Sequence, residues 1–473
     1  MDTIKNLKIQ MKPYITENYQ FQYADVVMEL EEPQLQTGAM AASLWKTVAG
    51  VPGAELGSGG LQAADEAGRL ELTETLEKDP SGFDKRVWRI GRESQGDVTL
   101  RYRFFPRDLT GVDRCHPIFD VIQEHNGALI CGVTSLMTVP EDNYHIYFSW
   151  DKSNMPSDAD AAAIKGQGDF DYVGTPQDYS FSLYIAGRFH CQQDKSGKYR
   201  VYWLDDQLPD REKVVDQVPR LLKVLCRFFR DEEIDYSVFF RKEPFEISNS
   251  GTAFDGGFAF GYSDTMPLIM EQALSTIAHE IVHNWPHMDG EPGEKEWFDE
   301  GTAEFYSMVI PYREGIVDLD HVARQLTEKS LNYYNNKYRE MPNREAYGLF
   351  WKERDAQRLP YGRGLFYLID TDRKIKAASG GKRSIDDLVL ASIERRKSGA
   401  AFAKEDWERM IESELGMEAV MEFRQVMDGK IIQPSKEWLG GAFDFSKGEY
   451  GTIKTGFFDN ALIWSAKEGN QNL

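Results

Sequence analysis

The most constraining feature of the sequence is a pair of histidines four residues apart, with a glutamate directly after the first. His279 and His283 lie in STIAHEIVHNW, within a stretch over 267–285 whose apolar residues recur at helical spacing before Pro286 ends it. Residues four apart on a helix project from one face, so the two imidazoles should lie side by side. Glu280 lies about 100° around the helix, at the edge of that face. This H-E-x-x-H arrangement is typical of zinc hydrolases.

A tetrahedral zinc site of this kind needs a third protein ligand, and three places downstream offer one. His287 is close in sequence, but Pro286 breaks the helix that would align it. Asp289 stands where the H-E-x-x-H-x-x-G-x-x-H/D pattern has its last ligand, but that pattern needs glycine at 286, and proline cannot adopt a positive φ. The third place is a helix predicted over 294–311 and ended by Pro311. It carries three glutamates at four-residue spacing: Glu296, Glu300 and Glu304.

Two later segments extend the pattern. EWFDEGTAEFY occupies 296–306 and LPYGRGLFYLI occupies 359–369. With HEIVHNW, they resemble the gluzincin metallopeptidases of the aminopeptidase N and leukotriene hydrolase clan, which carry H-E-x-x-H-x-W, W-x-x-E-G and P-Y-x-K-G segments. The resemblance implies Zn²⁺ as cofactor and a role for each matching residue. The implied zinc ligands are His279, His283 and Glu300. The implied general base is Glu280, and the implied transition-state-stabilising tyrosine is Tyr361.

Two further segments resemble one particular family of that clan. GKRSIDDLVLASIERRKSG and FAKEDWERMIESELG are similar to helices of the glycyl aminopeptidase family. We expect no PDZ domain, which many members carry near the C-terminus. Sixteen residues, 284–299, separate the second histidine from Glu300, a shorter connection than is usual in that family. Gly301, directly after the glutamate, predicts that another helix approaches closely at this point.

The substrate-binding segment departs further from the clan. Upstream of the histidine helix, its exopeptidases carry a G-G-x-E motif whose glutamate holds the free amino group of the substrate. This chain reads TAFDGGFAFGYSD over 252–264. Gly256 and Gly257 match the two glycines, and Phe258 takes the variable position. Ala259 replaces the glutamate, and the preceding Asp255 is a candidate substitute. We expect the GGFAF stretch to form an edge strand that pairs with extended substrate.

The distribution of patterns along the chain predicts an α+β, multidomain protein. Residues 1–205 alternate apolar and polar side chains between turn residues, which predicts a β-sandwich-like N-terminal domain. Within them, KRVWRIGRESQGDVTLRYRFFP predicts a hairpin that turns near Ser94–Gly96. The resemblance implies a thermolysin-like zinc catalytic domain over 206–340. A mainly helical region over 341–473 would contribute Tyr361.

The amino-acid composition limits which classes of partner the protein can bind. The net charge of −22, from 77 acidic and 55 basic residues, disfavours nucleic acid and anionic membranes. Four widely spaced cysteines without a C-x-x-C pair predict free thiols of a reducing compartment: Cys115, Cys131, Cys191 and Cys226. The first residues lack the apolar core of a signal peptide, and no apolar run approaches membrane-spanning length. We therefore expect a cytoplasmic protein that acts on peptides or peptide-like molecules, and the oligomeric state stays open.

Three functions are compatible with these patterns. The first is a zinc aminopeptidase that removes small N-terminal residues. The second is a zinc hydrolase of the same fold that does not need a free amine and acts on blocked peptides, internal bonds or a peptide-like biosynthetic intermediate. Ala259 favours this second function. The third, a non-catalytic binding protein, is disfavoured because the metal ligands, the base and the tyrosine are all present.

Overall fold

The computed structural model describes residues 4–79, 82–108, 117–208, 211–231, 234–243, 249–263, 270–452 and 456–467. The chain forms two compact units. One comprises Met1–Val215 and Ile234–Leu268, and the other comprises Asp216–Glu233 and Ile269–Leu473. The sequence predicts domain boundaries at 205 and 340, and these differ from the boundaries of the two units. The domain subdivision stays a prediction. Cys115 lies outside the described residues, and no disulfide joins the three cysteines inside them.

The first unit is built from strands that form four sheets within the described ranges. In chain order the strands are β1 (Lys5–Ile15), β2 (Phe21–Leu30), β3 (Met40–Val48), β4 (Val51–Pro52), β5 (Glu55–Leu56), β6 (Gln62–Asp65), β7 (Gly68–Leu70), β8 (Leu72–Lys78), β9 (Asp84–Ile90), β10 (Val98–Phe105), β11 (Val121–Glu124), β12 (Gly127–Cys131), β13 (Tyr144–Trp150), β14 (Asp160–Ala163), β15 (Gly166–Gln167), β16 (Phe170–Gly174), β17 (Leu183–Gly187), β18 (His190–Gln193), β19 (Tyr199–Trp203), β20 (Tyr236–Lys242), β21 (Asn249–Phe254) and β22 (Gly257–Tyr262). Two short helices, α1 (Gly132–Ser135) and α2 (Pro176–Ser180), lie between them in sequence.

The largest sheet follows the period-two pattern of its sequence. In β1, Leu7, Ile9 and Met11 are fully buried, while the residues between them face outward. β1 pairs antiparallel with β2 and parallel with β13, so that Leu7 lies opposite Leu30 and Ile146. The aligned apolar side chains form the core of the unit and hold the strands in this register.

The predicted hairpin near Ser94–Gly96 is wrong. Its two strands exist, but β9 pairs with β3 and β8 in a four-stranded sheet, while β10 pairs with β2, β5 and β6 in the eight-stranded one. The connection between them satisfies its backbone elsewhere, because the Gly91 amide donates to Glu71 and the Ser94 amide donates to Leu35. Alternation of side chains identifies a strand but not its partner.

A five-stranded sheet in the order β18-β19-β20-β22-β21 contains the GGFAF stretch. That stretch begins at Gly256 and continues as β22, which lies between β20 and β21, so the prediction that it forms an edge strand is wrong. The edge belongs to β21, which runs antiparallel to β22. Gly256 turns the chain between them with φ of 74°, a conformation that favours glycine.

The second unit is mainly helical. α3 (Arg211–Phe228) carries the chain into it, and the remaining elements are α4 (Met270–Val282), α5 (Glu296–Arg313), α6 (Leu319–Tyr334), α7 (Asn343–Tyr347), α8 (Arg354–Ser379), α9 (Ile385–Lys397), α10 (Lys404–Leu415), α11 (Met417–Met427), a 3-10 turn (Trp438–Gly441) and the hairpin of β23 (Phe443–Thr452) with β24 (Gly456–Ala466). The start of the helix predicted over 267–285 lies outside the described residues. α5 continues through Pro311 to Arg313, so the predicted end at this proline is wrong. Pro311 removes a single N–H donor in the last turn, which the helix tolerates. Among the described residues, no helix is both long and apolar enough to cross a membrane.

Helices α5 and α8 cross at two glycines, which brings their backbones into direct contact. A Cβ atom on Gly364 would lie 1.9 Å from the Trp297 carbonyl oxygen and 2.7 Å from Gly301 Cα. A Cβ atom on Gly301 would lie 2.6 Å from the Gly364 backbone. The close approach predicted from Gly301 is therefore present, and its partner is the helix that carries Tyr361.

Candidate metal centre

Helix α4 presents its two histidines together because its opposite face is apolar. Ile277, Ala278 and Ile281 are fully buried in the unit. His279 and His283 project on the other side, one turn apart, and their Nε2 atoms lie 3.1 Å from each other. The helix thus uses its apolar face for packing and leaves both imidazoles with the same ring nitrogen turned to one point.

Glu300 in α5 completes this group. Its Oε2 atom lies 3.2 Å from His279 Nε2 and 3.5 Å from His283 Nε2. Four-coordinate zinc with bonds of about 2.0–2.1 Å holds neighbouring donor atoms about 3.3 Å apart. The observed spacings of 3.1, 3.2 and 3.5 Å fit that tetrahedron, with one corner left for water or substrate.

The alternatives considered for the third ligand make other contacts. His287 Nδ1 is 3.0 Å from Asp299 Oδ2, and Asp289 exchanges hydrogen bonds with the backbone of Phe402. Glu296 accepts a hydrogen bond from the Gly293 amide. Within the described ranges, the trio of His279, His283 and Glu300 is the group of His, Cys, Asp or Glu donors that converges closely enough for one ion.

Tyr361 and Glu280 lie beside the three donors. The Tyr361 ring stacks on the His279 imidazole, with ring centroids 5.6 Å apart and planes inclined by 4°. Burial, followed by the Glu300 and Glu280 carboxylates, raises the pKa of the Tyr361 phenol well above its usual value. Both carboxylates are therefore close enough to influence the phenol, and its hydroxyl stays protonated and able to donate a hydrogen bond.

Burial and mutual attraction set the pKa values of the three donors. Burial lowers the pKa of His279 to about 4. Burial acts in the same direction on His283, but the Glu300 carboxylate outweighs it and raises that pKa to about 9. Burial opposes ionisation of Glu300, yet the neighbouring His283 lowers its pKa to about 2. The Glu300 carboxylate thus stays charged and attracts positive charge to the point where the donors meet.

Trp285, the last residue of the H-E-x-x-H-x-W segment, anchors the end of α4. Its Nε1 donates to Asp231 Oδ2 at 3.0 Å, and its ring stacks on Phe229 with centroids 4.7 Å apart. Phe229 in turn packs edge-on against Tyr306 of α5. The tryptophan therefore ties the histidine helix to the glutamate helix.

The predicted substrate-binding residues belong to the first unit. Asp255 is exposed at the turn before Gly256. Gly257, Phe258 and Ala259 lie in β22, where all three are buried, and Ala259 is paired with Phe239 and Thr252 on its two sides. Their role in substrate binding stays a prediction, and the buried position of Ala259 disfavours a side-chain contact with substrate.

Sequence reasoning assigned no role to two charged residues that lie beside the centre. Glu304 lies one turn beyond Glu300, with its Oε1 atom 3.6 Å from His279 Nδ1. Lys329 of α6 contacts the same carboxylate. The four-residue spacing signalled that Glu304 shares the face of Glu300, whereas no local pattern links Lys329 to the histidines.

No protein-family model and no curated protein matches the sequence, but several solved structures share its fold. An aminopeptidase N family protein from Idiomarina loihiensis aligns with a TM-score of 0.69 at 14% identity, over 93% of this chain and 79% of that one. A mutant M1 zinc metallopeptidase from Deinococcus radiodurans, bound to a Tyr-Ser-Ala substrate, gives 0.53 at 15% identity, over 91% and 95%. Yeast LTA4 hydrolase gives 0.55 at 10% identity, over 92% and 69%. The chain therefore has the α+β, multidomain fold of these enzymes, as its sequence predicts.

Proposed function

We propose that the protein is a zinc metallopeptidase that hydrolyses amide bonds, most favourably as an aminopeptidase on small N-terminal residues. The observation that carries this proposal is the convergence of His279, His283 and Glu300 at tetrahedral spacing beside Glu280 and Tyr361. The shared fold supports it, since the similar structures include zinc peptidases.

The chain supplies the groups that such a reaction needs. A bound zinc ion would lower the pKa of water to about 7 and polarise the substrate carbonyl. Glu280 would accept a proton from the attacking water and deliver it to the leaving nitrogen. Tyr361 would donate a hydrogen bond to the carbonyl oxygen as negative charge develops on it. The Tyr361 role needs a protonated phenol, which its raised pKa favours.

The alternative is a hydrolase of the same fold that does not recognise a free amine. Ala259 favoured it on sequence grounds, because alanine cannot pair with an ammonium group. The burial of Ala259 inside β22 weakens that reason. Aminopeptidase action is therefore the first proposal.

The test compares hydrolysis of short amides with a free and with an N-acetylated amino terminus. Aminopeptidase action predicts cleavage of the free amines, with small first residues preferred, and loss of cleavage on acetylation. Equal or faster cleavage of the acetylated compounds would discard aminopeptidase action and select the alternative hydrolase.

A matched variant tests the catalytic role of the base. Glu280→Gln keeps both histidines and Glu300, so we expect zinc to remain bound while hydrolysis falls to near background. Zinc content and turnover should be measured on the same preparation. Full activity in this variant would exclude Glu280 from the mechanism. Absence of zinc from active wild-type protein would exclude zinc as the cofactor.

A further inference from the structure

The back of the His279 ring faces a carboxylate that the proposed chemistry does not use. His279 turns Nε2 towards His283 and Glu300, and Glu304 Oε1 lies 3.6 Å from the opposite ring nitrogen, Nδ1. The Glu304 side chain is 13% exposed. Burying a carboxylate is costly without a partner, so this placement requires compensation.

Lys329 supplies that compensation and holds the carboxylate in place. Its ammonium group contacts Glu304 Oε2, and the lysine side chain is 13% exposed. One turn before His279 on α4 and one turn before Lys329 on α6, Ser275 Oγ donates to Gln325 Oε1 at 2.7 Å. The two contacts set the register of α4, α5 and α6 around the His279 ring.

We propose that Glu304 is a positioning residue of the metal centre, with Lys329 as its support. With zinc bound, Glu304 would accept a hydrogen bond from Nδ1–H of His279, which selects the tautomer whose Nε2 is free to bind the ion. The distance of 3.6 Å is longer than a hydrogen bond. The bond forms when Nε2 binds zinc, because metal binding makes Nδ1–H a stronger donor. This inference rests on the zinc site of the proposed function.

The position of Glu304 separates this role from that of a ligand. Its nearer oxygen lies on the Nδ1 side of the ring, whereas the converging donors are His279 Nε2, His283 Nε2 and Glu300 Oε2. Carboxylates behind metal-binding histidines orient the ring and raise its basicity, and their loss typically costs about 10–100-fold in metal affinity.

The test measures zinc dissociation constants by competition with a chelator, beside the thermal midpoint of the metal-free protein. Glu304→Gln should weaken zinc binding about 10–100-fold. Glu304→Asp, which keeps the charge, should restore part of it. Glu296→Gln, the same change two turns earlier on α5, is the matched control and should leave zinc affinity within about twofold of wild type.

A double variant separates positioning from simple stabilisation. Glu304→Gln leaves Lys329 buried without its charged partner, and adding Lys329→Met removes that ion. Positioning predicts that the double variant regains thermal stability but still binds zinc weakly. If zinc affinity returns together with stability, or if Glu304→Gln binds zinc as tightly as wild type, Glu304 is only a structural ion-pair partner. A wild-type protein that does not bind zinc would instead reject the proposed function.

Discussion

At the scale of single residues, the site depends on side chains held in one protonation state by burial and a named neighbour. His283 and Glu300 shift each other's pKa in opposite directions, and the phenol of Tyr361 stays neutral because it is buried and two carboxylates lie near it. The sequence predicts the histidine pair because their spacing is local to one helix. It predicts neither the stack of Tyr361 on His279 nor the contact of Glu304 with the back of that ring, since those depend on tertiary packing.

Tyr361→Phe tests the hydroxyl apart from the ring. The phenylalanine ring can keep the stack on His279 but cannot donate a hydrogen bond to the developing oxyanion. We expect kcat to fall by about 10²–10³-fold, the usual effect of losing one such donor, with zinc content unchanged. Steady-state kinetics would show this, and a variant with wild-type kcat would exclude the phenol from catalysis.

Glu124 predicts a pH dependence of stability in the first unit. Burial raises its pKa from 4.5 to about 8, against the attraction of the buried Arg241. The folded chain therefore keeps a proton between these values that the unfolded chain releases. Stability should fall as pH rises across this window, by at most about 1.4 kcal/mol per pH unit, and level off above pH 8.

Glu124→Gln isolates that effect. The amide imitates the protonated carboxyl group, so the variant should match wild type near pH 5 and exceed it in stability at pH 8.5. Urea unfolding at the two pH values is the measurement, with exposed Glu141→Gln as the control. An equal pH dependence in wild type and Glu124→Gln would assign the effect to other groups.

At the scale of elements, the geometry of the candidate site depends on how helices cross. α5 and α8 meet without side chains at Gly301 and Gly364, and this contact brings together the helix of Glu300 and the helix of Tyr361. Sequence patterns predict which segments form strands and helices, but they predict less often which of these elements pack or pair with each other. β9 and β10 belong to different sheets, and β22 lies inside its sheet, because alternation records which face is buried and not which strand lies alongside.

Gly364→Ala tests the crossing. The new methyl group would lie 1.9 Å from the Trp297 carbonyl, so the helices must separate. We expect a loss of about 1–3 kcal/mol in stability, typical of overpacking, together with reduced kcat from displacement of Tyr361. Arg354→Ala, at an exposed position of α8, is the control for helix substitution. A Gly364→Ala protein with unchanged stability and kinetics would show that the crossing is not a constraint.

At the scale of the whole molecule, the fold and the donor trio are two independent observations, and the proposed function is compatible with both. The fold is shared with zinc peptidases at 10–15% identity, which is too low for sequence comparison to transfer individual residues. The assignment of the donor trio rests on the distances between its own atoms. The overall pattern of strands followed by helices was predictable from composition and periodicity, whereas the return of residues 234–268 to the strand-rich unit was not, because it depends on long-range pairing of β20 with β19 and β22.

The most direct test of the account is the zinc content of the purified protein beside that of Glu300→Ala, after gel filtration to remove loosely bound metal. Two imidazoles and one carboxylate at the observed spacing predict one zinc per chain in the wild type and loss of tightly bound zinc in the variant. A wild-type chain without zinc, or a Glu300→Ala chain that retains a full equivalent, would contradict the metal centre on which the proposed hydrolase rests.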